Sequence, residues 1–451
     1  MNGAGMGNRA IPAAKLGIFT LGLACWPHIV AAADNAPVES EQWSIHGQLT
    51  FVDQYHPGFK SPFRGTNSLD PGSRGDETAD VTLFAGVRLW NGGEFYVNPE
   101  LDQGFGLSTS VGVAAFPSGE AYKVGKDNPY MRFARVFFRQ TINLGGAAQN
   151  VEPAANQLGG TRTADNFIVT IGKFAPTDIF DANTYAHDPR GDFLNWAIID
   201  SAAFDYAADA WGYSYGIAGE WTQSWWTLRV GLFDLSTIPN TTSLDTGFQQ
   251  FEIVAEGEER HTWWGEDGKL KLLGYFNRGR MGSYNAAVAL GVATSTTPDT
   301  SRVRRYASRP GGALNLEQQI DGNLGMFVRA SLNDGSQETY EFTEINRSLA
   351  VGLSLKGNQW ARPLDTVGVA VEMASISRAA QSYFAAGGIG ILIGDGQLPR
   401  YGMEDVLEAY YSAQWTDWLA TSLDYQFVAN PAYSRERGPV SIFGVRLHAQ
   451  Y

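Results

Sequence analysis

Hydrophobic and polar residues alternate with a period of two from one end of this chain to the other. In the last stretch, "SIFGVRLHAQY" (441–451), Phe443, Val445, Leu447, Ala449 and Tyr451 form one row. Gly444, Arg446, His448 and Gln450 form the other. A period of two sends such rows to opposite faces of a β-strand. "WSIHGQLTF" (43–51) sets Trp43, Ile45, Leu49 and Phe51 against Ser44, His46, Gln48 and Thr50. "TADVTLFAGVRL" (78–89) and "EFYVNPELD" (94–102) repeat the pattern, with Arg88 and then Glu94, Asn98, Glu100 and Asp102 in the polar rows. The stretches 212–221, 226–233, 251–258, 270–277, 324–333, 366–373 and 419–428 carry it onward.

These runs are about ten residues long, which is what a tilted strand needs to cross a bilayer. Their apolar rows mix Ala, Val, Leu and Gly, with Trp, Tyr or Phe near the ends. Such rows suit a lipid face bounded by aromatic girdles better than an interlocking core. Between the runs lie Gly-, Pro-, Asn- and Asp-rich segments, at 53–77, 103–129, 145–165 and 174–210, and tight turns such as Asn91-Gly92. Long loops at one end and tight turns at the other fit a barrel. The pattern predicts an all-β fold: a transmembrane antiparallel β-barrel of about 16 strands, closed by pairing of the first and last. An open edge in lipid would strand backbone donors and acceptors. A soluble β-sandwich is the other all-β reading.

Composition sharpens the choice. Charged residues make up 18% of the chain, against roughly 25% in soluble domains. No stretch after the N-terminal region approaches the ~18 apolar residues of a spanning helix. Residues 1–33 read as an export signal: Arg9 and Lys15, an apolar run at 16–26, and "AAA" at 31–33 before a mature start at Asp34. One domain is then expected over 34–451. The lone cysteine, Cys25, falls inside the signal, so neither disulfides nor cysteine-metal chemistry is expected. The net charge of −14 argues against a nucleic-acid partner.

Several stretches resemble the carbohydrate-selective porin family, the OprB-like outer-membrane porins. They are "GKFAPTDIFDANTYAHDPRGDFLNWA" (172–197), "AADAWGYSYG" (207–216), "RASLNDG" (329–335), "GILIGDGQLPRYGMEDVLEAYY" (390–411) and "LDYQFVANPAYSRERGPVSIFGVRLH" (423–448). The resemblance covers most of the chain and is densest in the last quarter. It implies a 16-stranded barrel in the outer membrane of a Gram-negative bacterium, passing sugars passively through a constricted pore. Gly191 departs from it, standing where a threonine is expected. A terminal aromatic after an alternating strand also resembles the signal read by the barrel-assembly machinery, which makes Phe443, Val445, Leu447 and Tyr451 its candidate residues.

The chemistry of an enzyme is not legible. His46, His56, His187, His261 and His448 lie in no H-E-x-x-H motif and at no metal-ligand spacing. "HDPRGD" (187–192) reads as a polar cluster bracing a loop, and "GGIGILIGDG" (387–396) lacks the third glycine of a nucleotide fingerprint. No cofactor is called for. Selectivity in a pore needs only its width and lining, and a sugar asks for fixed donors and acceptors beside an aromatic plate. The polar rows therefore nominate Arg88, Glu94, Asn98, Glu100, Asp102, Arg135, Arg139, Arg329 and Asp424 as pore-lining, with Arg88, Glu94, Glu100 and Arg135 facing one another across an eyelet. Trp196, Trp211 and Tyr213 flank a loop that can fold inward. Inward ion pairs also brace barrel walls, and Trp and Tyr also form interface belts. The expected partners are outer-membrane lipid, the assembly machinery and small neutral sugars, with a homotrimer left open. A general or cation-favouring diffusion porin is the alternative reading, and a barrel enzyme or adhesin another.

Overall fold

The computed structural model describes residues 39–451, so the expected export signal, Cys25 and Asp34 lie outside the described residues. Sixteen strands form among those residues. The first eight are β1 Trp43–His56, β2 Arg74–Trp90, β3 Gly93–Gly104, β4 Lys126–Val151, β5 Gly160–Phe174, β6 Ser214–Gln223, β7 Trp226–Asp234 and β8 Phe251–Trp263. The rest are β9 Glu266–Met281, β10 Arg305–Gln319, β11 Leu324–Asn333, β12 Arg347–Lys356, β13 Thr366–Ser375, β14 Glu404–Thr416, β15 Leu419–Ala429 and β16 Val440–Gln450. Each pairs antiparallel with its chain neighbours, and β1 pairs with β16 to close the barrel. The closing register sets Phe51 opposite Leu447 and Tyr55 opposite Phe443. Beyond it, Gly47 and Tyr451 exchange two backbone bonds of 2.8 and 2.9 Å.

The alternating rows sort as their chemistry requires. Trp43, Ile45, Leu83, Val87, Leu101, Phe443, Val445 and Leu447 point outward and are exposed. Thr82, Asn98, Glu100, Asp102, Arg329, Asp424 and Arg446 point inward and are buried. With no water in a bilayer core, this orientation keeps the charged row out of hydrocarbon and leaves it hydrogen-bond partners inside. Asn91-Gly92 makes the tight turn between β2 and β3, with Gly92 at φ +74°. The segment 145–165 differs from expectation. Most of it is strand, because β4 runs to Val151 and β5 starts at Gly160, so this hairpin projects well past the β2–β3 turn.

The barrel is not a hollow pipe. The segments after β3 and β5 fold inward and bring an apolar core with them: Val113, Ala114, Ala115, Phe180, Phe193, Trp196, Ile198 and Phe204 are buried. They pack against inward aromatics of the wall, among them Tyr96, Phe137, Phe233, Phe327 and Tyr410. Those wall aromatics lie over glycines directly across the ladder. Tyr96 covers Gly86, Phe327 covers Gly352 and Tyr410 covers Gly368. A Cβ on Gly86 would sit 2.6 Å from the Tyr96 ring. Each glycine thus makes the room its partner ring needs to lie flat against the wall. Three helices sit in the loops: α1 Trp196–Ile199, α2 Tyr284–Thr294 and α3 Arg378–Ala385. The glycine-rich stretch 387–396 is a loop on the same side as α2 and α3 with one isolated bridge, Asn67 to Gly394.

The wall holds the loops mainly by their backbones. Glu404 and Glu408, four apart on the inward row of β14, accept bonds from the amides of Ala114, Ala115 and Ala432, and of Leu194 and Asn195. Arg446 donates to the carbonyls of Pro189, Gly191 and Asp192. Arg329 donates to those of Ile198 and Asp181. Within the loops, Glu344 takes the amides of Ile391, Leu392 and Ile393. A carboxyl or guanidinium group facing several backbone groups finds its hydrogen-bond partners in the loop whatever side chains the loop carries.

Candidate functional site

The site begins with a proline. Pro99 lies inside β3 and has no N–H to give its neighbour, so the ladder must break there. Asn98 pairs with Arg135 and Pro99 with Phe133, which leaves Ala134 as the extra residue of a bulge in β4. A bulge re-aims side chains. Here Arg132, Ala134 and Arg135 all reach the interior, where strict alternation would send one of the last two to lipid.

Arg132 and Arg135 then do different work. The Arg132 Nε donates to Asp102 at 2.6 Å, and its Nη2 pairs with Glu100, whose other oxygen takes the Thr82 hydroxyl at 2.8 Å. The rings of Tyr122 and Tyr213 lie 4.8 and 4.9 Å from its guanidinium, and Trp211 lies 5.8 Å away. With only 7% of its side chain exposed, Arg132 positions those rings rather than meeting solutes. Arg135 binds Asp178 of the inward loop in a two-pronged pair, Nε to Oδ2 at 2.7 Å and Nη2 to Oδ1 at 2.6 Å. Tyr213 lies against it as well, at 5.0 Å. Asp178 keeps 28% of its side chain exposed.

The loop itself is shaped by its own polar residues. Asp178 also accepts the Ala175 amide, Asp192 accepts those of His187 and Asp188, and Asn195 caps α1 through the Ala197 amide. This tight course brings Arg190 among inward carboxylates, in the same space that Arg135 lines. Arg190 lies 3.5 Å from Glu120, 3.7 Å from Asp188 and 3.9 Å from Asp80. Burial pushes the Asp178 carboxyl up, but the Arg135 guanidinium outweighs it and holds the group below the usual range. Burial raises Asp200, at the end of α1, to about 8; Asp181 adds to the rise and Arg329 opposes it. Wall and loop enclose a cavity of about 230 Å³ lined by Tyr122, Arg135, Asp178, Asp188, Arg190, Asp200, Trp211 and Tyr213. Charges of both signs and aromatic faces line one space. No group of His, Cys, Asp and Glu suited to a metal ion occurs among the described residues.

The nominated residues divide into three places. Arg135, Trp196 and Trp211 line this cavity, with Trp196 stacked on Phe116 at 5.1 Å, while Glu100 and Asp102 are buried in the wall as the partners of Arg132. Arg88, Glu94, Asn98 and Arg139 lie nearer the turn end. Arg88 pairs with Glu94 at 3.0 Å, and Asn98 and Arg139 bind Asn156. Arg329 and Asp424 are buried behind the inward loop. The eyelet expected from Arg88, Glu94, Glu100 and Arg135 does not form. All four stand on the adjacent strands β2, β3 and β4, so they share a wall instead of facing across the lumen. Arg132, Asp178, Glu120 and Arg190 were not nominated. Arg132 and Arg135 are out of step with a period of two, and only the proline opposite them signals the bulge.

A family model described as "Carbohydrate-selective porin, OprB family" matches residues 66–451. The chain belongs to that family. It is a sugar-preferring outer-membrane porin of Gram-negative type. The solved structure of OprB from Pseudomonas putida, determined at high pH, superposes with a TM-score of 0.67 at 15% identity, covering 91% of this chain and 94% of that one. The outer-membrane channel DcaP of Acinetobacter baumannii gives 0.48 at 8% identity over 93% and 99% of the two chains. Comparison with curated protein sequences finds no match. In a porin the outward rows meet lipid and the long loops lie outside the cell, with the short turns and the β4–β5 hairpin at the periplasmic end.

Proposed function

We propose that the cavity between β4 and the inward loop is the constriction at which this porin selects sugars. Arg135, Asp178, Asp188 and Arg190 are its polar contacts, and Tyr213, Trp211 and Tyr122 its aromatic walls. The observation that carries the reading is the two-pronged Arg135–Asp178 pair seated on Tyr213. Fixed donors and acceptors beside an aromatic face match a molecule dense in hydroxyls with an apolar C–H side. Paired charges of opposite sign give no strong preference for either ion, which favours the sugar reading over a general or cation-favouring pore. Glu100, Asp102 and Arg132 hold the wall beneath. Arg329 braces the loop, Asp424 holds the Gln426 amide that reaches the Pro117 carbonyl, and Trp196 anchors the loop.

Passage is passive and no chemical step takes place. Each chain closes its own barrel around its own cavity, so association into a homotrimer would add no residue to the site. The outward Phe443, Val445 and Leu447, with Tyr451 after them, are what the barrel-assembly machinery would meet. The test is liposome swelling with the folded protein. Glucose and a disaccharide are expected to enter faster than amino acids or organic ions of matched size. Rates ordered by size and charge alone would overturn the sugar contacts assigned here.

A further inference from the structure

The β4–β5 hairpin does not simply project into the periplasm. Its strands bend at the irregular register around Gly145, where ladder partners are skipped. Its tip, residues 152–159, returns into the barrel mouth. There the Arg139 guanidinium donates to the Asn156 carbonyl at 2.8 Å and the Asn98 amide to the Asn156 side chain at 2.8 Å. The Leu158 amide donates to the Tyr96 hydroxyl at 3.1 Å. The receiving side chains all belong to inward rows, so the tip sits in the lumen beneath the inward loop.

A second cavity of about 310 Å³ lies between the tip and that loop. This is the lower end of the size range of small-ligand pockets, roughly 300 Å³. Its polar lining is Arg139, Asn156, Gln157, Thr170, Asp178 and His187. Asp178 and His187 also line the constriction cavity, so the two spaces adjoin across these residues. Two lining atoms are buried without a hydrogen-bond partner: the Thr170 hydroxyl oxygen and the His187 Nδ1. Thr170 is only 2% exposed. A buried polar atom left unpaired by the protein is completed by a water or by a bound molecule, and this chamber has room for either.

We propose that this chamber is a second carbohydrate subsite, floored by the hairpin tip, and that it takes one ring of a disaccharide whose other ring occupies the constriction. The proposal rests on the constriction reading above. A sugar ring supplies hydroxyls that both donate and accept, as Thr170, His187, Asn156 and Gln157 require. Two adjoining subsites hold a linked pair of rings better than a single ring, because the second contact is made within one molecule.

The experiment is block of ion current through the folded porin in a planar bilayer, titrated with glucose and with maltose. Maltose is expected to block at a several-fold lower concentration than glucose. Gln157→Trp, which fills the chamber, and Thr170→Val, which keeps the shape but removes the hydroxyl, are expected to raise the half-blocking maltose concentration several-fold and to leave glucose little changed. An unchanged maltose value in both variants would mean that the chamber holds only water and would overturn the subsite. So would equal changes for the two sugars. Failure of glucose to block the unaltered protein would remove the constriction assignment, and the chamber's role with it.

Discussion

Arg135 on the barrel wall and Asp178 on the inward loop are joined by two parallel bonds of 2.7 and 2.6 Å. This pair both fixes the loop and presents its charges to the lumen, and the two roles can be separated. Arg135→Ala removes a charged contact of about 1.5 kcal/mol, so the half-blocking glucose concentration in a planar bilayer should rise roughly tenfold. Ion conductance should increase as the loop gains freedom. Exchanging the two residues, Arg135→Asp with Asp178→Arg, should restore the low conductance. Continued high conductance in the exchanged protein would show that the pair does not hold the loop.

Asp200 predicts a pH dependence. Its carboxyl is neutral below about 8 and ionised above it. Raising the pH therefore adds a negative charge to the cavity lining. The cation-to-anion permeability ratio, read from reversal potentials in a salt gradient, should rise with a midpoint near pH 8. Asp200→Asn should abolish that step while leaving the barrel folded.

Arg446 tests how the inward loop is carried. Its guanidinium serves the carbonyls of Pro189, Gly191 and Asp192 and also the Ser422 hydroxyl. Arg446→Ala leaves these carbonyls without that donor, at a cost of about 1–3 kcal/mol for each that water cannot reach. Amide exchange across 187–195 should quicken and sugar preference should weaken. Arg446→Lys should rescue poorly, because one ammonium cannot fork to so many acceptors.

Gly368 tests the packing of the wall. A side chain there would strike the Tyr410 ring. The usual gain from replacing a strand glycine is about 0.5–1 kcal/mol, but overpacking costs about 1–3 kcal/mol. Gly368→Ala should therefore lower the thermal unfolding midpoint in detergent. A raised midpoint would show that the ring moves aside freely.

Much of the barrel is legible because lipid and lumen enforce a period of two on every strand. The rows holding Leu83 and Val87, or Glu100 and Asp102, cannot be exchanged without exposing charge to hydrocarbon. The interior is less legible for the opposite reason. Inward positions answer to loops that arrive from distant parts of the chain, so Tyr96 and Tyr410 are aromatic where a water-filled lumen would ask for polar groups. Arg132 and Asp178 meet their partners only once the bulge at Ala134 and the course of the loop are known. The β4–β5 hairpin escaped because its glycines, which mark a bend in a long ribbon, read equally well as loop.

Glu404, Glu408 and Arg446 grip amides and carbonyls, which every residue offers alike save that proline lacks the amide. The identity of the gripped side chains scarcely enters the attachment. The lining can therefore change under selection, or by design, residue by residue, while the loop keeps its path. On the constriction proposed above, a new sugar preference would need new side chains at positions such as Asp188 or Arg190, and the frame that presents them can be inherited unchanged.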